Sequence, residues 1–281
     1  MTPPLFKGIS VFADKYDYFL VDIWGVLHDG QKAYPGAADA MRYLKEAGKT
    51  VLLLSNSPNR ASRVVQKVLN PIGIPADTYQ HIMTSGEAAH DYMAQHHAGQ
   101  KVYTFWDDEN PTALDNLDVT RVYDVNDADF IYASLIPGHS EHVMYDDVLT
   151  RALARDIPFI CGNPDRVVLH GDTLVMCVGA LAETYEGKGG KVVWFGKPFK
   201  PIYDQAWETL GRPDKSKMIA IGDGLLTDVG GANTFGCDVV WNVEGIHWDE
   251  VATNNRIDTA KLQSTLDGNP QPIGLLHGFT V

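Results

Sequence analysis

Three apolar runs in this sequence end in the same way, in a short turn of small and polar residues. They read YFLVDIWG, TVLLLSNS and MIAIGDG, and segments with helical spacing lie between them. In open parallel sheets, ligands bind outside the carboxyl ends of the strands. Asp22, Ser55 and Asp223 each lie at or just past the end of such a run. We therefore predict that these three side chains meet at one crevice.

Strand-like and helix-like segments alternate along the whole chain, which predicts an α/β fold with a mostly parallel sheet. The 281 residues exceed one compact domain of about 150 residues, so we expect two domains. The predicted strands are 18–23, 50–54, 101–105, 130–133, 192–195, 218–221 and 238–241, and the predicted helices are 37–46, 61–69, 87–96, 140–154, 202–210 and 228–235.

Composition and charge exclude several classes of partner. Lys and Arg number 23 against 36 Asp and Glu, a net charge of −13, and this argues against nucleic acid, whose phosphates need basic partners. No apolar run approaches the roughly 18 residues of a membrane span, so no membrane association is expected. The first residues lack the pattern of a secretory signal, and three widely spaced cysteines favour a reducing compartment. We predict a cytoplasmic protein.

The acidic residues at the strand ends point to phosphoryl or metal chemistry. Asp22 precedes an apolar segment rather than a helix start, and a carboxylate there is costly unless a metal or hydrogen bonds satisfy it. Carboxylates can also act as nucleophiles that form an aspartyl-phosphate. Asp223, before Gly224, suits a Mg²⁺ ligand, because that ion takes few carboxylates and keeps waters and phosphate oxygens. A helix cap is the alternative interpretation for Asp22 and for Asp228.

Two further segments suit the binding of an anion. Ser55, Asn56 and Ser57 precede Pro58, and a hydroxyl with backbone N–H groups at a helix start can hold an anion. An ordinary helix-capping turn is the alternative. Lys197 stands between glycine and proline after a fourth apolar run, where its charge could neutralise a phosphate; the alternative is a surface lysine.

The order of Asp22, Ser55, Lys197, Asp223 and Asp228 resembles the haloacid dehalogenase superfamily of phosphohydrolases. The segments SNSPNR, GNPD, GKP and IGDGLLTD are similar to the class IIA subclass, which contains NagD-type and nitrophenylphosphatase-like enzymes. The resemblance implies a Rossmann-like parallel-sheet core with an inserted α/β cap domain. It places the core at 1–83 and 182–281 and the cap at 84–181.

The resemblance also implies roles for the polar residues at the strand ends of the core. Asp22 would accept the phosphoryl group, the Ser55 hydroxyl would bind that group, and Lys197 would hold its charge. Mg²⁺ would be bound by the carboxylates of Asp22 and Asp223 and by the backbone carbonyl of Trp24.

Other residues are implied to assist. Asp228 would order the waters of the metal or Lys197, and we assign it to the metal site. Asn56 is expected to bind substrate, and so are Asn163 and Asp165 of the cap segment GNPD, with Arg166 beside them. An Asx turn is the alternative for that segment.

Trp24 is the one departure from the pattern of the family's phosphatases. They carry Asp two residues after the nucleophile, where it protonates the leaving oxygen and then activates water. The indole has one donor and no base, and loss of acid–base help costs about 10²–10⁴ in rate. His28 and Asp29 are candidate surrogates. We also expect the Trp24 indole to fill an enclosed volume.

These observations predict Mg²⁺-dependent hydrolysis of a small phosphomonoester, a sugar phosphate or a nucleotide-like compound, through an aspartyl-phosphate at Asp22. The expected partner is therefore a small phosphorylated metabolite. One alternative is a metal-independent dehalogenase-type hydrolase, in which an aromatic residue stands beside the nucleophile. Another is a non-catalytic, metabolite-binding descendant of the family. The sequence leaves the oligomeric state open, a homodimer included.

Overall fold

The computed structural model describes residues 2–105, 113–135, 145–170 and 173–281. The chain divides into two compact units. The first, which we call the core unit, comprises Met1–Ser55, Ser62–Met83 and Tyr203–Val281. The second, the inserted unit, comprises Asn56–Ala61 and Thr84–Ile202.

The described residues contain both kinds of regular element in alternation. The strands are β1 (Leu5–Phe6), β2 (Tyr18–Val21), β3 (Thr50–Ser55), β4 (His81–Thr84), β5 (Gln100–Tyr103), β6 (Val119–Val122), β7 (Phe130–Ala133), β8 (Phe159–Cys161), β9 (Val167–His170), β10 (Thr173–Met176), β11 (Val192–Trp194), β12 (Met218–Gly222), β13 (Asp238–Asn242), β14 (Ala252–Thr253), β15 (Arg256–Ile257) and β16 (Gly274–Leu276). The helices are α1 (Ala37–Glu46), α2 (Ala61–Val64), α3 (Ser85–His96), α4 (Asp146–Ala154), α5 (Val178–Gly187), α6 (Lys200–Thr209), α7 (Gly230–Phe235), α8 (Trp248–Val251) and α9 (Thr259–Leu266).

A seven-stranded sheet in the order β1-β16-β13-β12-β2-β3-β4 forms the centre of the core unit. Strand β2 pairs in parallel with both β3 and β12, so that Val21 lies opposite Leu53 on one side and Ile221 on the other. The predicted helix 37–46 is confirmed as α1, which buries Ala37, Ala40, Met41 and Leu44 on one face. Its apolar face and the sheet contribute to one core cluster, the arrangement that amphipathic spacing favours.

The inserted unit has its own five-stranded parallel sheet, in the order β11-β8-β7-β5-β6. Its core includes Ile131, Phe159, Leu149 and Tyr185, all fully buried. Strand β11 pairs with β8 in this sheet, and the inserted unit therefore continues to Ile202, beyond residue 181 where we expected the core to resume. Two sheets with separate cores confirm the predicted α/β fold with a parallel core and an inserted α/β domain.

Several predicted elements begin or end elsewhere in the structure. Residues 140–144 of the predicted helix 140–154 lie outside the described residues, and the described part is α4. The predicted helix 228–235 is a π-helical turn, Leu225–Val229, followed by α7. Among the described residues, every helix is too short or too polar to cross a lipid bilayer.

Candidate active site

The parallel register of the core sheet brings the predicted acidic residues to one end. Asp22 follows β2, and its backbone N–H extends the ladder by donating to the Ile221 carbonyl at 2.9 Å. Ser55 is the last residue of the neighbouring strand β3, and Asp223 directly follows β12 on the other side. All three side chains are buried, with exposed fractions of 6–7%. The structure therefore places them at the carboxyl ends of three adjacent strands.

Asp22, Asp223 and Asp228 form one buried cluster. Their nearest carboxylate oxygens all lie within 4.8 Å of one another. Three negative charges so close together in a region shielded from water repel one another strongly, and a divalent cation relieves that repulsion. Carboxylate oxygens are the donors that Mg²⁺ takes in proteins. The cluster consequently fits a hard divalent cation, and these three residues could hold it.

A side-chain donor on β13 and a backbone donor in the loop that follows it fix Asp223. Its Oδ2 accepts a hydrogen bond from the Ile246 backbone N–H at 2.7 Å, and its backbone carbonyl accepts one from Trp241 Nε1 at 2.7 Å. Gly25, at φ +84°, lies against the same carboxylate, because a Cβ there would fall 1.9 Å from Asp223 Oδ2. Only glycine allows the turn after Asp22 to approach this closely.

Asn242 ties that turn to the rest of the core unit. It is almost fully buried, donates to the Gly25 carbonyl at 2.7 Å and accepts from the Gly278 backbone N–H at 3.0 Å. Our sequence analysis missed Asn242, Gly25 and Ile246 as supports of the site. Nothing in the local pattern indicates that an asparagine at the end of β13 would reach the turn after β2.

The π-helical turn after β12 positions Asp228. Its Oδ2 accepts hydrogen bonds from the Gly224 backbone N–H at 3.1 Å and from the Thr227 hydroxyl at 3.3 Å. Tyr203, fully buried, donates to the backbone carbonyl of Asp228 at 3.4 Å. Burial raises the pKa of Tyr203 well above 10, so the phenol keeps its proton for this bond. These contacts hold the turn over the sheet end.

The side chain of Trp24 is 62% exposed. Our expectation that the indole fills an enclosed volume is wrong, because the chain turns at Gly25 and leaves Trp24 outside the core. Its ring contacts His28 edge-on, with centroids 5.0 Å apart.

The two candidate acid–base surrogates differ in their surroundings. His28 is buried, which lowers its pKa from 6.5 although Asp29 partly opposes the shift, and its Nδ1 accepts from the Gly30 N–H at 2.9 Å. Asp29 is exposed, and its Oδ1 accepts from the backbone N–H groups of Lys32 and Gln31, which lower its pKa. The Asp29 carboxylate is therefore engaged in hydrogen bonds within its own turn.

In the inserted unit, Asn56 joins two loops that the sequence singled out. Its Oδ1 accepts from the Lys197 backbone N–H at 2.6 Å, and its Nδ2 donates to the Lys197 carbonyl at 3.0 Å and to Asp165 Oδ1 at 3.4 Å. Lys197 is buried, with 3% of its surface exposed. Asn56 is bonded directly to Ser55, so the chain itself connects this network to the end of β3.

The loop 163–165 contains the Asx turn that was the alternative interpretation. Asn163 is buried, and its Oδ1 accepts from the Asp165 backbone N–H at 3.1 Å. Arg166 forms an ion pair with Glu183 on an exposed part of α5. The structure thus brings Asn56, Asp165 and the Lys197 backbone together.

The segment Asn56–Ala61 is held by the start of α3. Ser85 Oγ donates to the carbonyls of Asn56 and Ser57 at 2.8 and 2.9 Å. Glu87 binds Arg60 through two hydrogen bonds of 2.9 and 2.7 Å and accepts from the Ala61 N–H at 2.8 Å. An Arg–carboxylate pair of this bidentate kind fixes geometry as well as adding energy.

Comparison with known proteins agrees with this architecture. A family model described as haloacid dehalogenase-like hydrolase matches residues 19–120, and a second, HAD-hydrolase-like model matches residues 194–264. The crystal structure of a haloacid dehalogenase-like family hydrolase from Brucella suis 1330 is 32% identical, with a TM-score of 0.81, and the match covers 98% of this chain and 100% of that one. Among curated proteins, a 5'-nucleotidase of Bacillus subtilis, YutF, is 26% identical over 85% of this chain and 92% of its own. An acid sugar phosphatase of Staphylococcus aureus is 26% identical, and the match covers 86% of this chain and 92% of that protein.

A parallel-sheet core with three buried carboxylates at its carboxyl end, and a second α/β domain inserted into it, defines a class of hydrolases. The chain belongs to the haloacid dehalogenase-like hydrolases. Within them it is an enzyme of the class IIA phosphatase type, as the sequence motifs predicted.

Proposed function

We propose that the protein is a Mg²⁺-dependent phosphatase that hydrolyses small phosphomonoesters through an aspartyl-phosphate at Asp22. The observation that carries this proposal is the buried cluster of Asp22, Asp223 and Asp228 at the carboxyl end of the core sheet. The relatives named 5'-nucleotidase and acid sugar phosphatase support the same substrate class, a sugar phosphate or nucleotide-like compound. The substrate would be a small phosphorylated metabolite.

In the proposed reaction an Asp22 carboxylate oxygen attacks phosphorus, and the bond from phosphorus to the ester oxygen breaks. Water then attacks the aspartyl-phosphate, releases inorganic phosphate and restores the carboxylate. Bound Mg²⁺, held by Asp22, Asp223, the Trp24 carbonyl and Asp228, would supply positive charge to the phosphoryl oxygens. Positioning and charge stabilisation supply most of the catalysis in phosphoryl transfer.

We propose that Ser55 binds the phosphoryl group and that Lys197 neutralises its charge. Support comes from burial of both residues and from Asn56, which is bonded to Ser55 and holds the Lys197 backbone from both sides. Asn56, Asn163 and Asp165 are the proposed substrate-side residues. Their hydrogen bonds to one another make them parts of one network rather than separate contacts.

The metal-independent dehalogenase is the alternative that Trp24 suggested. Three buried carboxylates within 4.8 Å support a cation and so favour the phosphatase. Halide release from a haloacid in the presence of a chelator would support the dehalogenase instead.

An Asp22→Asn variant tests the proposal, because the amide is nearly isosteric and cannot act as the nucleophile. We expect Mg²⁺-dependent phosphate release from a panel of sugar, nucleoside and aryl phosphates to fall at least 10³-fold, as removal of a nucleophile does. The matched control is Asp39→Asn on the exposed face of α1, which should keep full activity. Equal activity of Asp22→Asn and the parent protein would contradict the assignment of Asp22. Absence of phosphate release from the parent on every substrate would favour the metabolite-binding alternative.

A further inference from the structure

The orientation of the exposed Trp24 indole is fixed by two contacts within the turn that follows it. Its edge-on contact with the buried His28 is one support. Gly30, at φ +97°, is the second, since a Cβ there would lie 2.5 Å from Trp24 Cζ2. The Gly30 N–H donates to His28 Nδ1 at 2.9 Å, so the two supports are themselves joined. The aromatic side chain of a residue that is 62% exposed therefore stands two residues from the proposed nucleophile.

Two more apolar side chains are exposed beside the same carboxylates. Leu226 is 65% exposed and lies between Asp223 and Asp228 in the π-helical turn. Ile246 is 75% exposed, and its N–H donates to Asp223 Oδ2 at 2.7 Å. These residues follow β12 and β13. In the parallel sheet β12 lies between β13 and β2, so all three apolar groups belong to the same end of the sheet. Apolar surface around a few placed polar groups is typical of a small-molecule site.

The chemistry of the leaving group favours phosphate esters of aromatic alcohols. When the ester bond breaks, the electron pair leaves with the ester oxygen, and position 24 offers no carboxyl group to protonate it. An aryl oxide has a conjugate acid of pKa about 10, as the tyrosine phenol has, whereas an alkoxide is nearly as basic as hydroxide. An aryl oxide therefore departs unprotonated far more readily.

We propose that Trp24 is a stacking platform for the leaving group and that the preferred substrates are phosphate monoesters of aromatic alcohols. The proposal rests on the phosphatase function above and narrows its substrates to aryl esters, in place of the sugar phosphates and nucleotide-like compounds that the relatives' names suggest. Aromatic rings favour offset or edge contacts that add to simple burial, and Leu226 and Ile246 add exposed aliphatic surface at the same end of the sheet. Trp24 thus determines specificity at the position where the family's phosphatases carry an acid.

Binding of phosphonates, which cannot be hydrolysed, tests the platform separately from turnover. We would measure the Kd of benzylphosphonate and of cyclohexylmethylphosphonate by calorimetry in the presence of Mg²⁺. The two ligands have the same charge and similar size and differ in aromaticity. We expect benzylphosphonate to bind the parent about 5- to 10-fold more tightly. Trp24→Ala should bring that ratio close to one, and Trp24→Phe should keep most of it. Val11→Ala, an exposed apolar position elsewhere in the core unit, should leave the ratio unchanged.

Three results would overturn the proposal: equal Kd values of the parent for the two phosphonates, an unchanged ratio of these Kd values in Trp24→Ala, and no binding of either phosphonate to the parent. The turnover experiment answers a different question, because a protein that releases phosphate from alkyl and aryl esters at equal kcat/KM is a phosphatase without aromatic preference. Aromatic selectivity in binding without any phosphate release would refute the phosphatase function and leave the platform standing.

Discussion

At the scale of single residues, the position two after the proposed nucleophile Asp22 would set which phosphate esters the protein prefers. Trp24 puts an exposed aromatic surface where an acid would otherwise stand, and Asp29 is engaged in its own turn. His28 carries a neutral imidazole at pH 7, since burial lowers its pKa below 6.5. The residues of this turn consequently suit apolar contact with a leaving group better than proton transfer to it.

Trp24→Asp should restore an acid–base group at the right distance along the chain. We expect kcat/KM for alkyl phosphates to rise by 10-fold or more, toward the roughly 10²–10⁴ that such groups contribute. Nitrophenyl phosphate should gain little, because its leaving group needs no proton. The exposed indole leaves no large cavity behind, and the change in unfolding free energy should stay below about 1 kcal/mol. Steady-state kinetics on both substrates check this, and a folded variant without gain on alkyl phosphates would show that acid–base help does not limit turnover.

At the scale of elements, the start of α3 organises the segment that follows β3. Thr84 caps the helix by accepting from the Glu87 N–H at 2.9 Å, and Glu87 in turn binds Arg60 and the Ala61 N–H. Burial alone would raise the pKa of Glu87, but the hydrogen bonds from Arg60 and Ala61 outweigh it and leave the pKa below 4.5. The ionised form of Glu87 is therefore the one that the fold stabilises.

Glu87→Gln should reveal this stabilisation through its dependence on pH. Hydrogen bonds to charged groups contribute about 1.5–3 kcal/mol, and we expect a loss of about 2 kcal/mol in unfolding free energy at pH 7. Because the folded-state pKa is lowered, the contribution is present above pH 4.5 and disappears as the pH falls through the lower folded-state value. The difference between variant and parent should shrink in that window, as urea unfolding at several pH values would show.

The exposed pair of Glu183 with Arg166 in the same unit supplies the control. Surface ion pairs contribute about 0–1 kcal/mol, and Glu183→Gln should cost no more than that at any pH. A similar loss in both variants would mean that burial of the Glu87 pair adds nothing.

At the scale of the whole molecule, the core unit places like charges where they oppose its own folding. The chain has a net charge of −13, and three of its carboxylates are buried together. A cation that binds only the folded state stabilises it by about 2.7 kcal/mol at a concentration 100 times its Kd. For a unit of this size, that corresponds to a rise in Tm of roughly 5–10 °C.

We therefore expect Mg²⁺ to raise the Tm of the parent protein in calorimetry and to raise that of Asp223→Asn much less. The asparagine can still accept the Ile246 N–H, so the variant keeps the local hydrogen bond while it removes a charge. It should also unfold at a higher temperature than the parent in the presence of EDTA. Asp39→Asn on α1 should respond to Mg²⁺ as the parent does. The same Mg²⁺ response in Asp223→Asn would remove that residue from the cation site.

Much of this architecture could be predicted because it depends on local patterns. Alternating strand and helix periods predicted the α/β fold, and helix α1 was predicted with its observed bounds, Ala37–Glu46, from the spacing of four apolar residues. The convergence of Asp22, Ser55 and Asp223 followed from a general property of parallel sheets. Strand β11 shows the limit, since its sequence indicates a strand but not which of the two sheets it joins.

The sequence alone therefore determined which residues follow strands, and hence which polar groups meet at the end of the core sheet. Tertiary structure decided how those groups are held. Asn242 reaches Gly25 across 217 positions of the chain, Ile246 supplies a donor to Asp223, and Trp24 points outward. Each depends on the path that the chain takes after a strand ends, where contacts distant in sequence, and not a hydrophobic period, set the direction.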